Sequence, residues 1–144
     1  MVEFGLDVKK DITVDKTKLD EMSEVQSSKY YFYACELTEV KNELEIKENN
    51  LKAKLATREL FYRRNPPIDL KITEGVITAL VNADTEVLDA RDEVRVAKEK
   101  VSAMYDIVNA LDVAQKSTDN LVKLHINKYY NTTENTSGMR DRLN

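Results

Sequence analysis

An uninterrupted heptad pattern between Leu80 and Leu111 constrains the fold of this chain more than any other sequence feature. Apolar residues fall every seven positions, and a second apolar set follows three positions after each of them. The first set is Leu80, Val87, Val94, Val101 and Val108, and the second is Ala83, Ala90, Ala97, Met104 and Leu111. This spacing is typical of a helix that packs in a coiled coil. Because three of the seam residues are alanines, which bury little area, we expect these positions to serve both helix packing and subunit contact.

Composition supports a helical protein. The 144 residues include only three Gly and two Pro, so few positions break a helix or form tight turns. The length suits a single domain. One Cys, Cys35, permits no internal disulfide, and we interpret it as a small packed residue.

Two prolines mark the boundary between the long helices. Apolar residues recur at intervals of three, four and seven from Leu19 to Tyr62, and Asn65-Pro66-Pro67 must end that helix. Either Thr17 or Asp15 could cap its start. A second long helix is expected from near Asp69 or Thr73, with a kink or break within 116–120 before a final helix. The short connection favours antiparallel neighbours.

The predicted fold class is therefore all-α. It consists of a long antiparallel helical hairpin, a short N-terminal segment over Val2–Lys10 and a C-terminal helix. We expect a single helical domain over residues 1–131 and a mobile polar tail over 132–144, because the tail has almost no apolar content.

Catalytic and metal-binding motifs are missing from the sequence. There is one His, His125, together with the single Cys, and neither a Gly-rich phosphate loop nor a paired-Cys spacing occurs. We expect no enzyme activity, no cofactor and no metal. We also expect an intracellular, soluble protein, since the sequence shows neither a signal-peptide core nor a membrane-spanning run.

The stretch with functional character is residues 52–64, where basic and aromatic side chains interleave. It carries Lys52, Lys54, Arg58, Arg63 and Arg64 against one acid, Glu59, together with Phe61 and Tyr62. Cations suit the phosphates of a single strand and flat rings suit its unstacked bases. The alternative is that the cations solvate a helix while the two rings close the end of the core. The residues alone leave both interpretations open, and the net charge of −4 argues against general nucleic-acid binding.

An ordered series of short segments resembles the bacteriophage UvsY-type recombination mediators over roughly residues 6–130. Near the N-terminus they are Lys9-Lys10-Asp11, Asp15 and Thr17-Lys18-Leu19. The run Leu55–Tyr62 is similar to the family's Leu-Lys-Ala-Arg run followed by two tyrosines. In the second half the matching segments are Ala83-Asp84, Val87-Leu88, Ala110-Leu111-Asp112, Lys116-Ser117 and Lys123–Ile126.

The resemblance implies a homo-oligomeric ring or open helical barrel, expected to be a heptamer, that binds single-stranded DNA. It implies two protein partners, a RecA-like phage recombinase and the phage single-strand-binding protein, in the cytoplasm of the infected bacterial host. By position Arg58 matches the family's DNA-contacting Arg, whereas Ala56 replaces a basic residue and Pro66-Pro67 replaces a Gly-rich turn. The alternative function is a structural or chaperone-like coiled coil with no nucleic-acid role.

Overall fold

Helices make up nearly all of the described chain. The computed structural model describes residues 7–67, 69 and 71–140, with side chains as far as Lys128. Within these residues there are four helices and no strand: α1 is Val8–Ile12, α2 is Leu19–Arg64, α3 is Glu74–Ala83 and α4 is Thr85–Arg140. The predicted all-α class is confirmed. None of the helices in this part of the chain is apolar enough over a sufficient length to cross a membrane.

The end of the first long helix is where the prolines predict it. Helix α2 stops at Arg64, and the amide of Asn65 donates to the carbonyl of Phe61 at 2.9 Å. The Asn65 side chain donates to the same carbonyl at 3.2 Å and so satisfies one of the helix's last acceptors. Next along the chain, Thr73 caps α3, and its hydroxyl accepts from the amide of Val76.

The expected second helix is interrupted at Asp84, so the prediction of one unbroken helix is wrong here. Asp84 has extended backbone angles, φ −67° and ψ 130°, and ends α3. Its Oδ1 accepts from the amide of Glu86 at 3.0 Å and its carbonyl accepts from the amide of Leu88, so that Asp84 caps the start of α4. The interruption changes which residues pack inward. Ile77 and Val81 are buried, Leu80 is partly buried and Ala83 is exposed.

A predicted kink within 116–120 is also wrong, because α4 is continuous there. Thr118 is fully buried, and its hydroxyl donates to the carbonyl of Ala114 at 3.0 Å. This bond satisfies the polar group without breaking the helix. The backbone of α4 remains helical to Arg140. Residues 141–144 and the N-terminal 1–6 lie outside the described residues, and the mobility of the 132–144 tail stays a prediction.

The chain divides into two compact units. One comprises the described residues of Met1–Ala34 and Asp106–Asn144, and the other is Cys35–Tyr105. In the first unit α1 is joined to α2 through Asp11, whose carboxylate pairs with Lys29 at 2.9 Å and accepts from the Tyr33 hydroxyl at 2.9 Å. The buried side chains of this unit are Gln26, Tyr33, Val108, Leu111, Ala114 and Thr118.

Cross-helix ion pairs show that α2 and α4 run antiparallel within the second unit. Among them are Glu43–Lys100 at 3.1 Å, Lys47–Glu93 at 2.8 Å and Lys54–Glu86 at 2.8 Å. Across these three pairs the number of the residue on α4 falls as the number on α2 rises. Among the buried residues of α4 in this unit are Val87, Ala90, Val94, Ala97 and Met104, and Val101 is partly buried. Cys35 is exposed, so its interpretation as a packed residue is wrong. The role of the seam in subunit contact stays a prediction.

Candidate nucleic-acid interface

The basic-aromatic stretch occupies the last part of α2, inside the second unit. On one side of this helix, Leu51, Leu55 and Tyr62 are partly buried and pack against a cluster of three buried residues, Ile77, Val81 and Val87. Tyr62 is therefore part of the core, as the structural interpretation of the sequence expects for this ring. Phe61 is not, since 44% of its surface is exposed.

Arg58 is tied to the helix break. Its Nε donates to Oδ2 of Asp84 at 2.7 Å, and its Nη2 lies 2.6 Å from the same oxygen. The Tyr62 hydroxyl also donates to this oxygen, at 2.8 Å. The Asp84 side chain is only 3% exposed and the Arg58 side chain 22% exposed. A buried carboxylate thus has a charged partner and further donors, which is the arrangement that makes a buried charge tolerable.

The contacts shift the pKa of both partners in the directions that favour their charges. Burial raises the pKa of Asp84, but the hydrogen bonds from Tyr62 and Arg58, the Glu86 amide and the Arg58 charge outweigh it. The net result is a carboxyl pKa below its usual value. The hydrogen bond to Asp84 is the largest cause of the raised pKa of Arg58. Both groups remain ionised at neutral pH.

Two more of the predicted DNA-binding cations are held by acids. Lys54 pairs with Glu86 at 2.8 Å, and this hydrogen bond is the main cause of the lowered pKa of that carboxyl. Arg63 bridges Glu59 at 2.7 Å and Glu74 at 2.8 Å. Its pKa is raised, chiefly by the hydrogen bond to Glu74. These pairs are partly exposed, and such pairs are weak enough to exchange with other charged groups.

Lys52 and Arg64 differ from the other three cations. Both side chains are exposed, and neither forms an ion pair with any residue that the structure describes. Residues 52, 56, 60 and 64 follow one another at intervals of four, which makes them successive neighbours on a helix surface. Leu60 in this row is 55% exposed. We call this row, together with Phe61, the outer face of α2.

Phe61 links the outer face to Arg58. The guanidinium carbon of Arg58 lies 4.6 Å from the centroid of the Phe61 ring, within the range of a cation–π contact. Phe61 also meets the Tyr62 ring edge-on, with centroids 5.4 Å apart. Arg64 follows Phe61 by three residues and is its neighbour on the helix surface. An exposed ring held in place beside an unpaired cation can stack on a base while the cation meets a phosphate.

Local sequence reasoning missed the acids that face this stretch. Glu74, Asp84 and Glu86 follow their basic partners Arg63, Arg58 and Lys54 by 11, 26 and 32 residues. One signal was available, because Asp84 followed closely by Glu86 fits a helix start, with a capping residue and an acid in the first turn. The continuous heptads obscured it.

Solved structures that share this fold include those of a bacteriophage recombination mediator protein. The mediator is UvsY of bacteriophage T4, in crystal lattices of types IV, I and II. The TM-scores are 0.74, 0.72 and 0.75, at sequence identities of 17%, 16% and 17%. The likeness covers 89%, 85% and 90% of this chain and 99%, 96% and 98% of those chains. At this identity it establishes a UvsY-like fold.

Comparisons by sequence add nothing to this likeness. No protein-family model matches the chain, and no curated protein sequence matches it.

Proposed function

We propose that the protein is a phage recombination mediator. It binds single-stranded DNA and promotes the loading of a RecA-like recombinase onto DNA coated with single-strand-binding protein, in the cytoplasm of an infected bacterium. The observation that carries the proposal is the fold likeness to the T4 mediator, which extends over 96–99% of the chains in those solved structures. The outer face of α2 supports it, since it supplies cations and an exposed ring on one helix.

The outer face of α2 offers only two cations without an ion-pair partner among the described residues, so affinity depends on repetition. Lys52 and Arg64 lie twelve residues apart, about 18 Å along a helix axis, and therefore contact different phosphates. Two such contacts bind weakly. In a homo-oligomer, proposed to be a heptamer, the same face recurs at high effective concentration, and avidity can exceed single-site affinity by roughly 10²–10⁴. An overall negative charge is then compatible with binding.

Loading of a recombinase requires no bond chemistry on the mediator. A scaffold that binds one arrangement of the DNA more tightly than another shifts the equilibrium by its differential affinity. Holding a strand along an outer helical face, with bases stacked on the Phe61 rings, would favour a shape of DNA that differs from the one held by the single-strand-binding protein. The recombinase then competes for an already altered strand.

The alternative, a chaperone-like coiled coil, rests on the apolar side chains near the end of α2. Leu60 is 55% exposed and Ile72 is 50% exposed, which would suit a hydrophobic client. A prefoldin-type subunit places strands between its helices, whereas the described part of the 65–73 connection contains none. We therefore keep this function as an outcome of the test.

The test is the binding of fluorescent single-stranded DNA at several salt concentrations, with the mass of the assembly measured by light scattering in the same buffers. We expect a multi-subunit species that binds tightly at low salt and more weakly as salt rises, because each neutralised phosphate releases counterions. No binding at low salt would refute the proposal, and suppression of client aggregation by the same sample would then identify the chaperone-like alternative.

A further inference from the structure

Asp84 contributes both to the fold and to the candidate interface. It caps α4, and its side chain is 3% exposed and accepts from Arg58, Tyr62 and the Glu86 amide. No other carboxylate in the described part of the chain is buried to this extent. The sequence pattern gives it no function, and the role in capping does not require an arginine partner, because a cap only needs to accept from a backbone amide.

Arg58 already has its donors occupied on the Asp84 side. Two of its nitrogens bind one oxygen of Asp84, and Nη1 lies 3.5 Å from Glu86. To reach a phosphate, the guanidinium would have to leave a carboxylate whose side chain is only 3% exposed. That carboxylate would then be a buried charge without a charged partner, which is a strongly destabilising arrangement. Lys52 and Arg64 carry no such penalty.

We propose that Asp84 is a positioning residue of the candidate nucleic-acid interface: it withholds the Arg58 guanidinium from phosphates and keeps it against the Phe61 ring, so that Lys52 and Arg64 make the phosphate contacts. The inference rests on the proposed binding of single-stranded DNA. It assigns Arg58 a different role from the DNA contact that the family resemblance implies, namely support of an exposed ring on which a base stacks.

The local geometry agrees with this division of roles. The Arg58 guanidinium, 4.6 Å from the Phe61 centroid, limits the movement of the ring, while 44% of the residue stays accessible. A ring that is already held loses less conformational entropy when a base stacks on it. Arg64, three residues further on, then lies beside the stacked base, where its phosphate would be expected.

The experiment compares the salt dependence of oligothymidylate binding by the full chain and by three variants. Arg58→Met should keep the slope of log K against log salt, since no phosphate contact is lost, while lowering the unfolding temperature. Asp84→Asn should make the slope steeper by about 0.7 for each subunit on the DNA, because Arg58 is released to bind a phosphate. Asp89→Asn removes the same charge from an exposed site on α4 and should leave the slope unchanged.

If the slope becomes shallower by about 0.7 in Arg58→Met, as the loss of a phosphate contact requires, the inference is overturned. An unchanged slope in Asp84→Asn, or an equal rise in the Asp89→Asn control, would also contradict it. If either single variant does not fold, the combination of Arg58→Met with Asp84→Asn leaves no unpaired buried charge, and its slope should equal that of the unmodified chain. In all these cases the unmodified chain still binds DNA, whereas its failure to bind would refute the proposed function itself.

Discussion

Replacing Lys52 and Arg64 together with alanine should remove the phosphate contacts of the outer face while leaving the fold intact. Both side chains are exposed, and neither has an ion-pair partner among the described residues. Each lost contact on a single strand reduces the salt slope by about 0.7, so the double variant should lose about 1.4 for each subunit on the DNA. Between 50 and 200 mM salt this corresponds, for each subunit bound to the DNA, to about a sevenfold smaller loss of affinity than in the unmodified chain.

The assay is fluorescence anisotropy with a labelled oligonucleotide, with helicity checked by circular dichroism. The matched control is Arg95→Ala with Lys98→Ala, which gives the same net charge but removes cations that lie elsewhere on the second unit. Arg95 is held by Asp92 and Glu99 on its own helix. An unchanged slope in the Lys52/Arg64 variant, or an equal decrease in the control, would show that general charge and not this face attracts the DNA.

Two further predictions concern stability. Val94→Asp should unfold or disassemble the protein, because Val94 is 7% exposed. The lost burial costs about 1.5–3 kcal/mol, and desolvation of the new carboxylate adds to that cost. The control Val96→Asp, at a site 40% exposed, should remain folded. Thermal unfolding and light scattering test this pair, and a normal assembly of Val94→Asp would disprove the seam. The free energy of unfolding should also fall as pH drops below about 4, since the lowered pKa values of Asp84 and Asp11 mean that the unfolded chain binds more protons there. Denaturant titrations across this range should show a weaker pH dependence for Asp84→Asn, and parallel curves would count against the assigned ion pair.

The sequence predicted the helices well where local signals decide them. Pro66-Pro67 ends α2 for steric reasons that apply in any fold, and the heptads from Val87 onward describe the buried side of α4 in the second unit. The break at Asp84 was missed because no Gly or Pro marks it. Asp84 ends α3 and caps α4 through the Glu86 amide instead, and Arg58 and Tyr62, which come from another helix, compensate the burial of its carboxylate.

For the candidate site, the sequence predicted which types of residue are present but not which of them form ion pairs. Residues 52–64 supply cations and rings, but the sequence could not separate the cations that are paired from those that are not. The pairing partners lie on α3 and α4, and their distance is a property of the packed structure. Thr118 is a similar case, since a polar residue within 116–120 suggests a break until its bond to the Ala114 carbonyl is known.

The alanines of the seam bear on how such a fold diverges. Ala90 and Ala97 are buried at 5% and 3% exposure, at positions where a larger side chain would have to displace its neighbours. In a long antiparallel pair of helices, packing restricts roughly one residue in three or four, and the residue type at the remaining positions can change more freely. We therefore expect relatives to retain small residues at these two places while their outer surfaces change, which is how two chains can share a backbone at 16–17% identity.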